Sequence, residues 1–122
     1  MKFQIITNNP LVNDELKDKY ALSFYECTYR ELLIRARDMI HMGFRLYSHP
    51  LSGSIKPNET PFRSLLLSQN PGDLDLHSLE LIENGIAVFD KFPPRYTYIP
   101  ERIRADFSLV DYSLLQNTLA LL

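Results

Sequence analysis

Length, composition and charge narrow the kinds of protein that this chain can be. Its 122 residues suit one domain spanning 1–122, and 45% hydrophobic with 23% charged residues argues against a disordered or fibrous chain. With 13 basic and 15 acidic residues the net charge is −2, so a broad basic surface for nucleic acid is not expected.

The sequence also limits location and redox chemistry. The longest apolar runs are far shorter than the ~20 residues of a bilayer span, and the first residues lack the apolar core of a signal peptide. We therefore expect a cytoplasmic protein that makes no membrane contact. Cys27 is the only cysteine, and the three histidines show no metal-ligand spacing, so the sequence predicts no disulfide, no metal and no cofactor.

The first 26 residues predict two strands around a short helix. Phe3–Thr7 has the composition of a buried strand, and Asn9 followed by Pro10 is typical of an N-cap and the first position of a helix. That helix is predicted over 11–20. Residues 21–26 show the alternation of a second strand.

A second helix and two further strands follow. Thr28 and Glu31 have the spacing of a capping box, in which each side chain satisfies a free backbone donor of the other residue. Apolar residues at three- and four-residue steps continue this helix towards Gly43. Residues 44–47 are predicted as a third strand, and 62–68 as a strand buried on both faces.

A third helix is predicted after a turn. Asp75 can cap a helix whose apolar side chains continue through Phe89. Gly85 interrupts that pattern, so the sequence leaves open that 86–89 form a strand instead.

The last part of the chain predicts an extended segment and further helix. Residues 96–99 are predicted to be extended, Pro100 to open a short helical turn, and Ser108 to start a separate helix. The alternation of strands and helices predicts an α/β layered sandwich with a mainly parallel sheet of about four strands flanked by helices. Strand carboxyl ends would then lie along one edge.

A polar loop over 48–61 is the most informative segment of the sequence. It combines hydroxyls, an imidazole, an ammonium and a carboxylate with prolines that stiffen the backbone. Gly53 allows close backbone approach and Lys56 adds positive charge, which suits an anion such as phosphate or carboxylate. The alternative is a proline-pinned surface crossover whose serines and asparagines satisfy only the loop's own backbone. Both interpretations stay open.

Two asparagines, Asn8 and Asn9, follow the first strand at the place where open α/β sheets usually bind ligands. We therefore expect this turn and the polar loop to converge on one site, although helix capping alone would also explain Asn9. The predicted ligand-binding residues are Asn8, Asn9, His49, Ser52, Gly53, Ser54, Lys56, Asn58, Glu59 and Thr60.

Nucleophilic chemistry has little support in the sequence. Cys27 precedes the predicted second helix, whose N-terminus could lower the pKa of the thiol; the alternative is a small buried apolar side chain. The sequence shows no Ser-His-Asp order, catalytic carboxylate pair or glycine-rich dinucleotide fingerprint. Catalytic residues are therefore not assigned.

Several segments carry a family resemblance. Residues 5–12 and 49–61, together with Asp106-Phe107 and Val110-Asp111, closely resemble the GrdX family, and the resemblance covers nearly the whole chain. It implies a small accessory protein encoded with the glycine, sarcosine and betaine reductase systems of amino-acid-fermenting anaerobes. The family supplies no catalytic residues to carry over. The chain also lacks the cysteine pairs or selenocysteine expected of a redox-active reductase subunit, which argues against direct electron transfer.

Two functions are compatible with these observations. The first is an accessory protein that binds a reductase subunit or a small anionic metabolite through the predicted ligand-binding residues. The second is a small enzyme acting on a phosphorylated or carboxylated metabolite, with His49 as acid or base, Lys56 holding the anion and Ser52 or Ser54 as a further contact. The sequence does not set an oligomeric state.

Overall fold

The computed structural model describes residues 2–51, 59–92, 94–95 and 98–122. Within these ranges the chain forms three strands and four helices. In chain order they are β1 (Phe3–Thr7), α1 (Pro10–Leu16), β2 (Leu22–Phe24), α2 (Tyr29–His41), β3 (Ser64–Ser68), α3 (Leu76–Lys91) and α4 (Glu101–Leu119). No helix in the described ranges is long and apolar enough to cross a membrane.

The sheet is mixed and has the order β2–β1–β3. β1 and β2 are parallel, with Ile5 opposite Leu22. β1 and β3 are antiparallel, with Ile5 opposite Leu66. The chain is therefore an α/β fold, but the predicted mainly parallel sheet of about four strands is wrong in both strand number and strand direction.

The direction of β3 follows from the way the chain reaches it. Parallel neighbours need a long crossover, usually one that contains a helix. Leu46 forms an antiparallel bridge with Leu67 of β3, and none of the described residues between 48 and 63 is helical. The chain therefore doubles back into β3 as in a long hairpin.

The predicted third strand over 44–47 is reduced to that one bridge because serine hydroxyls replace the neighbouring ladder bonds. The N–H of Arg45 donates to the hydroxyl of Ser68 at 2.9 Å. The N–H of Leu66 donates to the hydroxyl of Ser48, also at 2.9 Å. Side-chain hydroxyls compete with the backbone for such donors, so the regular pairing does not extend beyond the bridge.

The sheet lies between two pairs of helices. Ile6 belongs to the core cluster formed with α2 and α3, whereas Ile5 packs in a second cluster with α1 and α4. Successive strand residues point to opposite faces, so in β3 Leu65 and Leu67 join the first cluster and Leu66 joins the second. The prediction that this strand is buried on both faces is confirmed.

Three predicted helix starts are confirmed. The side chains of Asn9, Thr28 and Asp75 each accept a backbone N–H at the start of α1, α2 and α3, respectively. α3 continues through Gly85, so the alternative of a strand over 86–89 is wrong.

α4 is one continuous helix, whereas the sequence predicted a short turn at Pro100 and a separate start at Ser108. Pro100 does precede the first helical residue. Ser108 lies inside the helix, and its hydroxyl donates to Oδ1 of Asn9 at 2.7 Å. The residue that resembled a cap therefore joins α4 to the turn after β1.

Gly43→Ala should destabilise the fold strongly. Gly43 follows α2 with a φ of 105°, which other residues rarely adopt, and an added Cβ would collide with the carbonyl oxygen of Gly72. Strain and overlap together should lower the free energy of unfolding, measured by urea denaturation, by about 3 kcal/mol or more. Gly72→Ala is the matched control, because nothing lies within 4 Å of its added Cβ. Equal losses in the two variants would contradict this account.

Candidate functional site

The turn after β1 is held to α4 by the side chain of Asn9, which is completely buried. Its Oδ1 accepts from the N–H of Leu11 at 3.1 Å, which caps α1. Its Nδ2 donates to Oδ2 of Asp111 at 3.0 Å and to the carbonyl of Ser108 at 2.9 Å. Both amide hydrogens are therefore used within the fold, and Asn9 acts as a structural link as well as a cap.

Asn8 makes a second link, in this case to the polar loop. Its Nδ2 donates to the carbonyls of Cys27 at 3.0 Å and Pro61 at 2.8 Å. Its Oδ1 accepts from the N–H of Arg63 at 2.8 Å. An asparagine amide has two donors, and both serve the fold here, so Asn8 positions the end of the polar loop beside the end of β1.

Asp111 is the centre of a buried polar network. Its Oδ2 accepts from Nδ2 of Asn9 and from the hydroxyl of Ser64, at 3.0 and 2.8 Å. The Ser64 hydroxyl in turn lies 2.7 Å from that of Thr7. Burial raises the pKa of Asp111, and the hydrogen bonds from Asn9 and Ser64 and the charge of Arg63 only partly oppose this effect. The network joins β1, β3, α1 and α4 at one place.

A cavity of about 340 Å³ lies beside this network. It is lined by the stretch after α2, the start of β3 and the end of α4. The described residues that line it are Tyr47, Ser48, His49, Arg63, Ser64, Asp111, Leu114, Leu115, Asn117, Thr118 and Leu121. An arginine, a histidine and an aspartate therefore line one concave space, which is the usual setting of a small-molecule site.

The cation of this cavity, Arg63, is largely buried, with 8% of the residue exposed. Its Nη2 donates to the carbonyl of His49, while the N–H of Leu51 donates to Nδ1 of His49 at 3.1 Å. That contact places the proton of a neutral His49 ring on Nε2. The described start of the polar loop is thus ordered around the guanidinium.

The position of His49 depends on the residue that follows it. The carbonyl of Pro50 accepts a hydrogen bond from the hydroxyl of Tyr29 at 3.4 Å. Burial raises the pKa of Tyr29 to about 12, so its hydroxyl keeps the proton that it donates. The ring of Pro50 packs directly on Gly85, the buried glycine of α3.

The other end of the polar loop faces different surroundings. Thr60 is buried, and its hydroxyl accepts from the N–H of Phe62 at 3.3 Å. Oε1 of Glu59 lies 3.2 Å from Nη1 of Arg95. Glu59 also lines a separate cavity together with Tyr98. Five of the predicted ligand-binding residues lie outside the described residues, so their role stays a prediction: Ser52, Gly53, Ser54, Lys56 and Asn58.

Of the two alternatives for Cys27, the lowered thiol pKa is not supported. Burial raises the pKa of Cys27, the charge of Glu31 adds to the increase, and Arg35 opposes both. The thiol keeps its proton, which favours the alternative of a small packed side chain. Among the residues that the structure describes, no group of three or more His, Cys, Asp and Glu side chains is placed to hold a metal ion.

Sequence reasoning missed Arg63 and Asp111 as site residues. The spacing of Asp111 could have indicated its role. Phe107, Asp111 and Leu115 are four residues apart and so lie on one face of a helix. An acidic residue on an apolar helix face must be buried with partners or face a cavity. Arg63 also had a signal that was not used, because it lies inside the predicted strand over 62–68, and a charged residue in a strand buried on both faces needs a partner or a cavity.

Asp111→Asn should remove a pH dependence of stability. Because the pKa of Asp111 in the folded protein lies above its usual 3.8, the folded state holds that proton more tightly, so the free energy of unfolding falls as pH rises through the folded pKa. Asparagine can keep an acceptor oxygen towards Asn9 and Ser64 but does not titrate. Denaturation across pH 4 to 8 should show the variant gaining stability relative to wild type as pH rises; parallel profiles would refute the assignment.

Asp111→Ala is the informative contrast to that substitution. It leaves the donors of Asn9 and Ser64 without their acceptor, so it should be less stable than Asp111→Asn by on the order of 3 kcal/mol at every pH.

Gly85→Ala should displace the start of the polar loop. The added Cβ would lie 2.8 Å from Cγ of Pro50, too close for an unchanged ring position. We expect amide chemical-shift changes at His49 and Leu51 and a loss of stability of about 1 to 2 kcal/mol. Val88→Ala, at an exposed position of α3, is the control, and unchanged His49 resonances in Gly85→Ala would show that this contact does not position the loop.

Comparison with known protein families gives a match over nearly the whole chain. A family model described as GrdX-like protein matches residues 4–120, from the second residue of β1 to just beyond α4. The chain has no significant match among curated proteins or among solved structures. The family match includes Asn8, Arg63 and Asp111 and covers nearly all of the sequence, so the chain belongs to the GrdX-like protein family.

Proposed function

We propose that this chain is an accessory protein of a glycine reductase-related system and that it binds a small anionic metabolite in the cavity beside Asp111. The family name associates the chain with glycine reductase-related systems. The observation that carries the binding proposal is a largely buried arginine, Arg63, in the wall of a cavity of about 340 Å³.

The chemistry of the cavity favours an anion. A guanidinium presents a planar set of donors that matches carboxylate and phosphate groups. Its attraction for an anion is stronger where water is largely excluded, and Arg63 is 8% exposed. Ser48, His49 and Ser64 add polar atoms to the same wall, so an anion held by Arg63 would find further hydrogen-bonding groups around it.

The cavity favours a small molecule over a protein segment as the ligand. Charged groups recessed in a concave space suit a ligand that can be surrounded. A reductase subunit would instead need a broad surface of roughly 800 Å² on this chain. Association with a subunit at another surface is compatible with the accessory role and is tested separately below.

A second candidate function is a small enzyme for a phosphorylated or carboxylated metabolite. It is favoured by Asp111, a buried carboxyl group whose pKa is raised, in the same cavity as His49 and Arg63. Such a combination is common among catalytic acids. For this function, Asp111→Asn would abolish turnover of a bound metabolite while leaving its binding intact.

Anion binding should stabilise the wild-type chain and depend on Arg63. Thermal unfolding with inorganic phosphate, acetyl phosphate or acetate at ~100 times the dissociation constant should add about 2.7 kcal/mol, or several degrees. Arg63→Gln should abolish the shift. Arg104→Gln is the matched control, because Arg104 lies over the ring of Phe62 and lines a different cavity.

The same variants separate the possible outcomes. A shift that persists in Arg63→Gln, or that Arg104→Gln removes equally, would contradict a specific site at Arg63. Lys56→Ala in the same assay tests the contribution that the sequence predicts for the polar loop. If no compound shifts the unfolding midpoint and the chain co-elutes with a purified reductase subunit, metabolite binding is rejected in favour of docking to a protein.

A further inference from the structure

The side-chain hydrogen bonds to the carboxyl group of Asp111 reach one oxygen. Its Oδ2 accepts from the side chains of both Asn9 and Ser64. The backbone N–H of Ser64 adds a smaller contribution, and among the described residues no side chain donates to Oδ1. Asp111 also lines the cavity, although the residue is only 6% exposed. Because each carboxylate oxygen can accept more than one hydrogen bond, Oδ1 keeps the capacity to accept from a ligand in that space.

The charge of this carboxyl group is poorly compensated within the fold. The hydrogen bonds from Asn9 and Ser64 come from neutral groups, and Arg63 contributes through its charge. Desolvation outweighs all of these effects. A cationic group of a ligand placed against Oδ1 would supply the compensation that a buried carboxylate requires.

The cavity thus presents a cation and a carboxyl group to the same ligand. Arg63 suits an anionic group, and Asp111 suits a group that carries both positive charge and N–H donors. Because both residues line one cavity of about 340 Å³, a small molecule can reach both. A ligand with an anionic group alone would leave the carboxyl group of Asp111 facing a like charge, which is unfavourable.

We infer that the ligand is a small zwitterion of the amino-acid type, with its carboxylate at Arg63 and its ammonium donating to Oδ1 of Asp111. This inference rests on the proposed anion-binding function and specifies the ligand class of the same site. Asn9 and Ser64 act as positioning residues, because they fix Oδ2 and thereby direct the other oxygen to the ligand.

Calorimetric titration of the full chain with matched triplets tests the inference. Each triplet contains an amino acid, the carboxylic acid that lacks its amino group, and the amine that lacks its carboxylate: glycine, acetate and methylamine; alanine, propionate and ethylamine; leucine, 4-methylpentanoate and isopentylamine. At least one amino acid should bind tenfold or more tightly than both of its counterparts. This comparison uses the wild-type chain, so it does not depend on whether a variant folds.

Asp111→Asn then assigns the gain to the carboxyl group. In this variant the amino acid should lose its advantage, while the carboxylic acid should bind as well as before or better. Carboxylic acids that bind wild type as tightly as the amino acids would overturn the zwitterion inference and leave the anion site intact. Failure of every carboxylate-bearing compound and of inorganic phosphate to bind would overturn the proposed function and this inference together.

Discussion

The buried carboxyl group of Asp111 is the constraint on which the arrangement of this site depends. Removing a carboxylate from water is costly unless hydrogen bonds replace those lost to the solvent. Here the replacements come from Asn9 at the start of α1 and from Ser64 at the start of β3. The carboxyl group is stabilised only when α4, α1 and β3 meet at this point. A single acidic side chain therefore ties the last helix to the sheet, beside the apolar contacts of Leu115.

Hydrogen bonding within the fold also separates the residues that hold the structure together from those that line the cavity. Asn8 and Asn9 direct all of their amide hydrogens to carbonyl or carboxylate oxygens of the fold, so they bring the polar loop and α4 to the end of β1. Arg63, His49 and Asp111 line the cavity. The two asparagines position two of these residues, because Asn8 accepts from the N–H of Arg63 and Asn9 donates to Asp111.

Local signals in the sequence predicted the helix starts well, since Asn9, Thr28 and Asp75 act through neighbouring backbone donors. Sheet topology could not be predicted in this way, because the direction of β3 depends on a chain reversal. The loss of the predicted strand over 44–47 depends on serine hydroxyls that replace ladder bonds to residues far along the chain. The partners of Asp111 are likewise 47 and 102 residues away. The contact of Asn8 with Pro61 required only that the turn after β1 and the end of the polar loop lie at the same sheet edge, whereas the position of Arg63 beside a cavity depends on how α4 packs there.

The central claim is that the space between Arg63 and Asp111 is the ligand site of this GrdX-like protein. The most direct measurement is a titration of the isotope-labelled chain with small carboxylates and amino acids, followed by amide chemical shifts. The account predicts saturable shifts concentrated at 47–49, at Arg63 and Ser64, and at 111–118. Saturable shifts confined to the separate cavity beside Cys27 and Arg104, or no saturable shifts at all, would contradict it.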